Sequence, residues 1–366
     1  GPLGAEENND HGRFMTNDMW GDAITVEYVQ PPHVIGQPRL GIKGIGYFFD
    51  YVNPPFELDP EARGSEACQV DVNCPEGLHW QFQRDAVVRM RITDGGDIGL
   101  CSGAMVNTTA MDCRQYCLSA LHCAPGVSDA DFGFLQFRFN YERQVGENWT
   151  FTSCSTSSFP SSHNRTGAIH LADSDDYSNF SGFQGSDFLL LEVEDDIPDS
   201  YVPFFAGWES QNLGSPEGVG IHHPAGDIKK ISRYDDQTLS VFVGAPGSHW
   251  EVTWEETETS HGTTEGGSSG SPLFNDERLI IGTLSAGLSA CTNQGQFGPD
   301  EPDWYGKMSY HWSNNPNPAD QKLKEWLDPM GLGWSKLYGT YRIGDNNCNP
   351  SLQVTENEKA LDSFVI

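Results

Sequence analysis

Basic side chains are scarce in this 366-residue chain. Lys and Arg total 21 against 52 Asp and Glu, a formal net charge of −31 and a sequence pI near 4.4. A surface this negative repels phosphate backbones and anionic lipid head groups, which argues against nucleic acid or a membrane surface as partner. Long apolar runs are missing as well: none approaches the ~18–20 residues that cross a bilayer. CxxC pairs, the common mark of a structural zinc site, are absent. What is plentiful is turn chemistry, with 40 glycines, 22 prolines and 11% aromatics. That composition suits short strands joined by many turns and does not suit a helical bundle.

The nine cysteines are spread from Cys68 to Cys348. Wide spacing without metal-type pairs predicts disulfides in an oxidising compartment, and therefore a secreted protein. An odd count leaves at least one thiol unpaired or bonded between chains. Sequons begin at Asn107, Asn148, Asn164 and Asn179. The opening Gly-Pro-Leu-Gly reads as a tag remnant over 1–4.

Two strand-like runs, 23–29 and 44–52, flank a proline-rich link, and a polar joint over 53–66 follows. That joint is the predicted domain boundary. Beyond it, short strand candidates recur at 86–92, 100–107, 115–123, 134–141, 187–194, 218–224, 229–234, 239–244, 249–256, 279–287 and 305–312. The rhythm predicts an all-β sandwich or barrel. One helix is expected, with Pro318 in its first turn and Leu323, Trp326 and Leu327 on one face. From residue 342 the chain reads as a polar tail.

The segment TTEGGSSGSPLF (263–274) carries the chemistry. A flexible linker is the bland reading, but Pro-Leu-Phe and a buried-looking strand follow at once. Small residues around one serine suit a tight loop that turns two backbone N–H groups toward a single point. Acyl transfer needs such donors where charge develops on the substrate carbonyl. Ser269 is then the nucleophile, with the N–H groups of Gly267 and Ser269 as the oxyanion hole. A serine needs a base. His122, after an apolar strand and beside Cys123, is the candidate, although a histidine next to a disulfide is more often structural. Asp187, directly ahead of the apolar run FLLLEV, is the candidate carboxylate. The order His122, Asp187, Ser269 is that of the chymotrypsin-type triad.

At these residues the sequence resembles a family. CSGAMVNTTAMDCRQYCLSALHC, SDFLLLEVE, FFAGWESQ, IHHPAGDIKKIS, TTEGGSSGSP, DWYGKM and LKEWLDP are similar, in order over about 67–340, to signatures of the bacterial lysyl endopeptidases. The resemblance implies a trypsin-like double six-stranded β-barrel with a C-terminal helix over 64–341, and a small N-terminal β pro-segment over 5–63. It implies the disulfides Cys68–Cys291, Cys74–Cys154 and Cys101–Cys123. Cys113, Cys117 and Cys348 depart from the pattern; either Cys113 or Cys117 could pair with the tail cysteine. The resemblance implies cleavage after Lys, or also Arg, with no cofactor and no metal. The partners implied are peptide or protein substrates with exposed Lys or Arg, and the chain's own pro-segment; a monomer is expected. Processing near Arg63 and Gly64 is implied too.

For specificity, DWYG puts Asp303 where the family holds its lysine-binding carboxylate; Asp300 and Glu301 compete in the same acidic stretch. Thr264, Ser285 and Gly287 are assigned to substrate binding on the same resemblance, Ser285 replacing the family's pocket histidine. Thr264 fits the related glutamyl endopeptidases too. They need a histidine on the strand after the active serine, which here reads Thr283-Leu284-Ser285. A silent binding protein on the same fold is the rival from another class. The neighbouring His222 and His223 point to opposite faces of a strand and are assigned to structure, not to a metal.

Overall fold

The computed structural model describes residues 12–16, 19, 23–30, 32–33, 35–36, 40–46, 64–94, 97–143, 163–175 and 185–342. The first sheet is built from β1 (Val87–Asp94), β2 (Asp97–Met105), β3 (Tyr116–Ser119), β4 (Gln136–Phe139), β5 (His163–Thr166), β6 (Ala168–Asp173) and β7 (Leu189–Val193). Its antiparallel order is β5-β4-β1-β2-β3-β7-β6. The two outermost strands, β5 and β6, are separated in the chain by Gly167 alone. One strand bent at that glycine (φ 100°) therefore pairs with both ends of the sheet, and the sheet must curl into a six-sided barrel.

The second sheet follows the same logic. It contains β8 (Gly218–His222), β9 (Lys230–Tyr234), β10 (Leu239–Val241), β11 (His249–Val252), β12 (Pro272–Asn275), β13 (Ile280–Gly287) and β14 (Asp303–Lys307). The order is β9-β8-β12-β13-β14-β11-β10, with the two-residue strand Val70–Asp71 outside β9. Consecutive β9 and β10 lie near opposite ends, so this sheet curls as well.

Alternation along the strands fills three cores. Val88, Met90, Ile92, Phe137, Leu189 and Leu191 fill the first barrel. Trp250, Val252, Trp254, Leu273, Ile281 and Tyr305 fill the second. Val87, Leu118, Phe188, Leu190, Ile221 and Phe274 meet between them. Leu189, Leu190 and Leu191 form a continuous apolar run because both faces of β7 are covered. At about 25 cal/mol per Å², each such buried side chain contributes on the order of 1.5–3 kcal/mol.

Three expectations change. Pro318 does not open the helix: it precedes a separate 3₁₀ turn, Ala319–Gln321, and extended Lys322 divides this from the helix Leu323–Leu327. Leu323 and Leu327 still seal the central core at i, i+4 spacing. The run 305–312 stops being a strand at Lys307 and becomes helical over Tyr310–Asn314. Among the described residues of 12–46 there is no strand. Residues 23–30 are all exposed, which leaves a strand there no surface to bury. This segment instead touches the first barrel through isolated contacts: Gln136 Nε2 donates to Met15 O at 3.1 Å, and Lys43 sits 4.0 Å over the Phe134 ring. The run 47–52 lies outside the described residues, as does the tail from 343.

The disulfides Cys68–Cys291 and Cys101–Cys123 form as the resemblance implies. Cys74 and Cys113 are also disulfide-bonded, to partners outside the described residues. Cys117 is the free thiol; it is buried inside the first barrel, and burial pushes its pKa far above the ordinary range. Asn107 is buried and spends its Nδ2 on Tyr338 O at 2.9 Å, which makes it inaccessible to glycosylation. Asn148 and Asn179 lie outside the described residues. Among the described residues no helix is long and apolar enough to cross a membrane.

Candidate active site

After β3 the chain makes a single 3₁₀ turn, Leu121–Cys123, and the Cys101–Cys123 disulfide ties this turn to β2. Half-buried His122 therefore faces Asp187, which lies just ahead of β7. Asp187 is fully buried and holds a left-handed φ of 59°, rare outside glycine, Asn and Asp. Its Oδ1 accepts the His122 backbone N–H at 2.9 Å, and its Oδ2 lies 2.6 Å from His122 Nδ1. A carboxylate only accepts, so Nδ1 carries the proton and Nε2 keeps its lone pair. The ring is thus oriented as a base.

Ser285 supplies a contact that sequence reasoning missed. Its Oγ donates to Asp187 Oδ2 at 2.5 Å, across 98 positions of chain. The hydroxyl assigned to substrate binding on resemblance thus donates its hydrogen to the carboxylate. A register shift between Leu284 and Ala286 in β13 accounts for this, since a bulge re-aims the residue it contains.

The loop that carries Ser269 is shaped by close approach, which is why it is rich in small residues. Ser269 O accepts the Ser102 N–H at 2.8 Å, joining the loop to β2 of the first barrel. A Cβ at Gly270 (φ 78°) would come within 2.1 Å of Ser119 Oγ and 2.6 Å of Ser102 O. One at Gly267 (φ 94°) would come within 2.8 Å of Gly226 N. Both conformations are strained for any side chain. Gly270→Ala should therefore lower stability by roughly 1–3 kcal/mol or more and reduce activity with it. Thermal unfolding checks this, and an unchanged Tm would contradict it.

The same packing orients the peptide between Gly266 and Gly267. Gly266 O accepts the Ala225 N–H at 2.6 Å, and Ser102 Oγ donates to Gly267 O at 2.9 Å. In a trans peptide the N–H opposes the C=O, so Gly267 N–H points away from Ala225. Among the described residues neither the Gly267 nor the Ser269 N–H has a hydrogen-bond partner.

Asp303 opens β14 and is completely buried. Its Oδ2 accepts from Trp254 Nε1, Thr264 Oγ1 and Ser289 Oγ, each at 2.7 Å, and its Oδ1 accepts from Ser289 N at 3.1 Å. Burial pushes its carboxyl above the usual range, while these hydrogen bonds pull it back. Gly287 is its register partner in β13; a Cβ there would come 1.8 Å from Asp303 Oδ1. Only glycine leaves that oxygen approachable. Asp300 is different, with a side chain 89% exposed and 3.5 Å from His261. Glu301 is exposed too. Trp254 and Ser289 were not legible beforehand: Trp254 lies 49 positions from Asp303, and Ser289 sits on the loop after β13.

His222 and His223 have separate partners. His222 lies between Ser268 Oγ (2.8 Å) and Ser232 Oγ (3.1 Å), and His223 Nδ1 lies 2.9 Å from Asp227 O.

Residues 62–306 match the family model described as "Lysyl endopeptidase, C-terminal domain". The chain belongs to that family. Its fold is all-β, with two curled barrels. It is similar to the lysyl endopeptidase of Pseudomonas aeruginosa PAO1, 28% identical over 282 residues, 74% of this chain and 56% of the relative. The chain spans about half the length of that curated relative. Among solved structures it is similar to the protease Anisep from Arthrobacter nicotinovorans (TM-score 0.40, 14% identity, 67% of this chain and 93% of that one). It is also similar to the thermostable serine protease AL20 from an extremophilic microorganism (TM-score 0.41, 14% identity, 64% and 100%).

Proposed function

We propose that this lysyl endopeptidase-family chain is a secreted serine endopeptidase that cuts on the carboxyl side of Lys. His122 takes the proton of Ser269 as its Oγ attacks the scissile carbonyl, then passes it to the leaving amine. Asp187 keeps the imidazole in its tautomer and stabilises it while charged. The N–H groups of Gly267 and Ser269 receive the developing oxyanion. Water then resolves the acyl-enzyme by the reverse sequence of proton transfers.

Asp303 carries the substrate assignment. Among the described residues three donors already converge on its Oδ2, and Oδ1 takes one. A carboxylate has about four acceptor positions, so little remains for a flat, bidentate guanidinium. A compact ammonium fits better: it donates to Oδ1 and to the lone pairs of the Thr264 and Ser289 hydroxyls. Arg is the weaker second substrate on this reading. The net charge of −31 also draws cationic substrates toward the protein.

We infer that 5–63 is a pro-segment, with processing at Arg63–Gly64. The residues just beyond that bond reach the nucleophile loop. Ser65 N and Oγ donate to Asp227 Oδ2 at 3.0 and 2.7 Å, and Glu66 N donates to Glu265 Oε1 at 3.0 Å. A peptide-library digest tests the function. Products should end in Lys, with Arg a minor fraction; products ending mainly in Glu or neutral residues would count against Asp303.

A further inference from the structure

His222 is the last residue of β8, fully buried, and one residue from a second histidine that the proposed chemistry does not use. Its hydrogen bonds have a unique direction. Ser232 Oγ donates its only hydrogen to Thr263 O at 3.0 Å. It can therefore only accept from His222 Nε2, 3.1 Å away, and that nitrogen must carry the proton. Nδ1 of a neutral ring is then an acceptor, so the Ser268 hydroxyl donates to it at 2.8 Å. Ser268 Oγ in turn accepts the Glu265 N–H at 3.2 Å. Burial, with Lys230 adding to it, pushes the His222 pKa down to about 3, which keeps the ring neutral.

We infer that His222 is a positioning residue that holds the oxyanion loop through Ser268 and Ser232. The chain of hydrogen bonds runs from Glu265 N–H through Ser268 to one ring nitrogen, and from the other through Ser232 to Thr263 O. One imidazole grips both ends of the loop 263–268, and Gly267 N–H, the first oxyanion donor, lies inside that span. On the other side the loop rests on the Ala225 N–H and Ser102 Oγ. Both walls fix where the donor points, and the side chains of the His222 wall, His222, Ser232 and Ser268, are all buried. A buried core histidine with satisfied nitrogens would stabilise the fold alone. A positioning histidine affects the transition state more than the ground state. This inference rests on Ser269 as nucleophile.

The test uses the full chain and two probes. A peptide aldehyde ending in lysinal forms a tetrahedral adduct and needs the oxyanion donors; n-butylamine occupies the Asp303 pocket and does not. Losing one oxyanion donor outright costs about 10²–10³-fold, so misplacing one should cost about tenfold to a hundredfold. Ser268→Ala is expected to weaken the aldehyde and lower kcat by that amount, with n-butylamine inhibition and KM within about twofold of wild type. His222→Asn places an amide oxygen where Nδ1 was, and should recover more of kcat and aldehyde affinity than His222→Gln, which mimics Nε2. The inference is overturned if aldehyde and amine affinities fall together, if neither falls, or if Asn and Gln behave alike in a folded protein. Failure of wild type to react with an organophosphonate would instead overturn the nucleophile assignment, so the two failures are distinct.

Discussion

Ser269→Ala is expected to remove at least about 10³-fold of peptidase activity, and all reaction with a serine-directed organophosphonate, while the fold persists. The structural work at this position is done by the backbone: Ser269 O accepts from Ser102 N, and Gly270 N donates to Leu284 O. Alanine preserves both bonds and fits the half-buried site, so thermal unfolding should match wild type closely. Adding His122→Ala to Ser269→Ala should lower the rate hardly further, because a nucleophile and its base act as a unit. Additive losses, or hydrolysis unchanged by the serine substitution, would remove Ser269 from the reaction.

Asp303→Asn is expected to lower kcat/KM for Lys substrates by about 10²- to 10³-fold, the scale of unpairing a buried charge. Reaction with a small uncharged ester should change by less than about tenfold, since the triad is untouched. The variant keeps its volume, and Asn Oδ1 can still accept hydrogen bonds. The pH profile adds a second signature. Burial raises the Asp303 pKa, and protonation removes the negative charge. Lys selectivity over the ester should therefore be full above that raised pKa and decline as pH falls through it, beginning above the ordinary carboxylate range. In Asp303→Asn this decline in selectivity should vanish. If Lys preference survives and Asp300→Asn abolishes it instead, the pocket is built on the other aspartate.

Much of the site was legible in the sequence because its parts are local. His122 follows a strand and sits beside Cys123, Asp187 precedes the apolar run of β7, and the small residues around Ser269 allow the close approach that Gly267 and Gly270 make. Barrel architecture was legible as rhythm, since each short strand announces itself by apolar residues between turns. The strand β5–β6 escaped notice because His163–Asp173 is mostly polar and partly exposed.

What only the tertiary structure decided depends on burial and on contacts between distant positions. Asp300 and Asp303 are equivalent in a sequence, but one is exposed and the other is enclosed by Trp254, Thr264 and Ser289. Cys113 and Cys117 differ by which sulfur can reach a partner, and the inward face of β3 hides Cys117. Ser285 turns to Asp187 because of a bulge that no local pattern encodes. The strand expected at 23–29 fails for the opposite reason: β-branched and aromatic residues give a propensity, but a strand persists only where a surface is offered to cover it. Composition and spacing determined which groups this chain could use; the packing of one barrel on the other decided which of them meet.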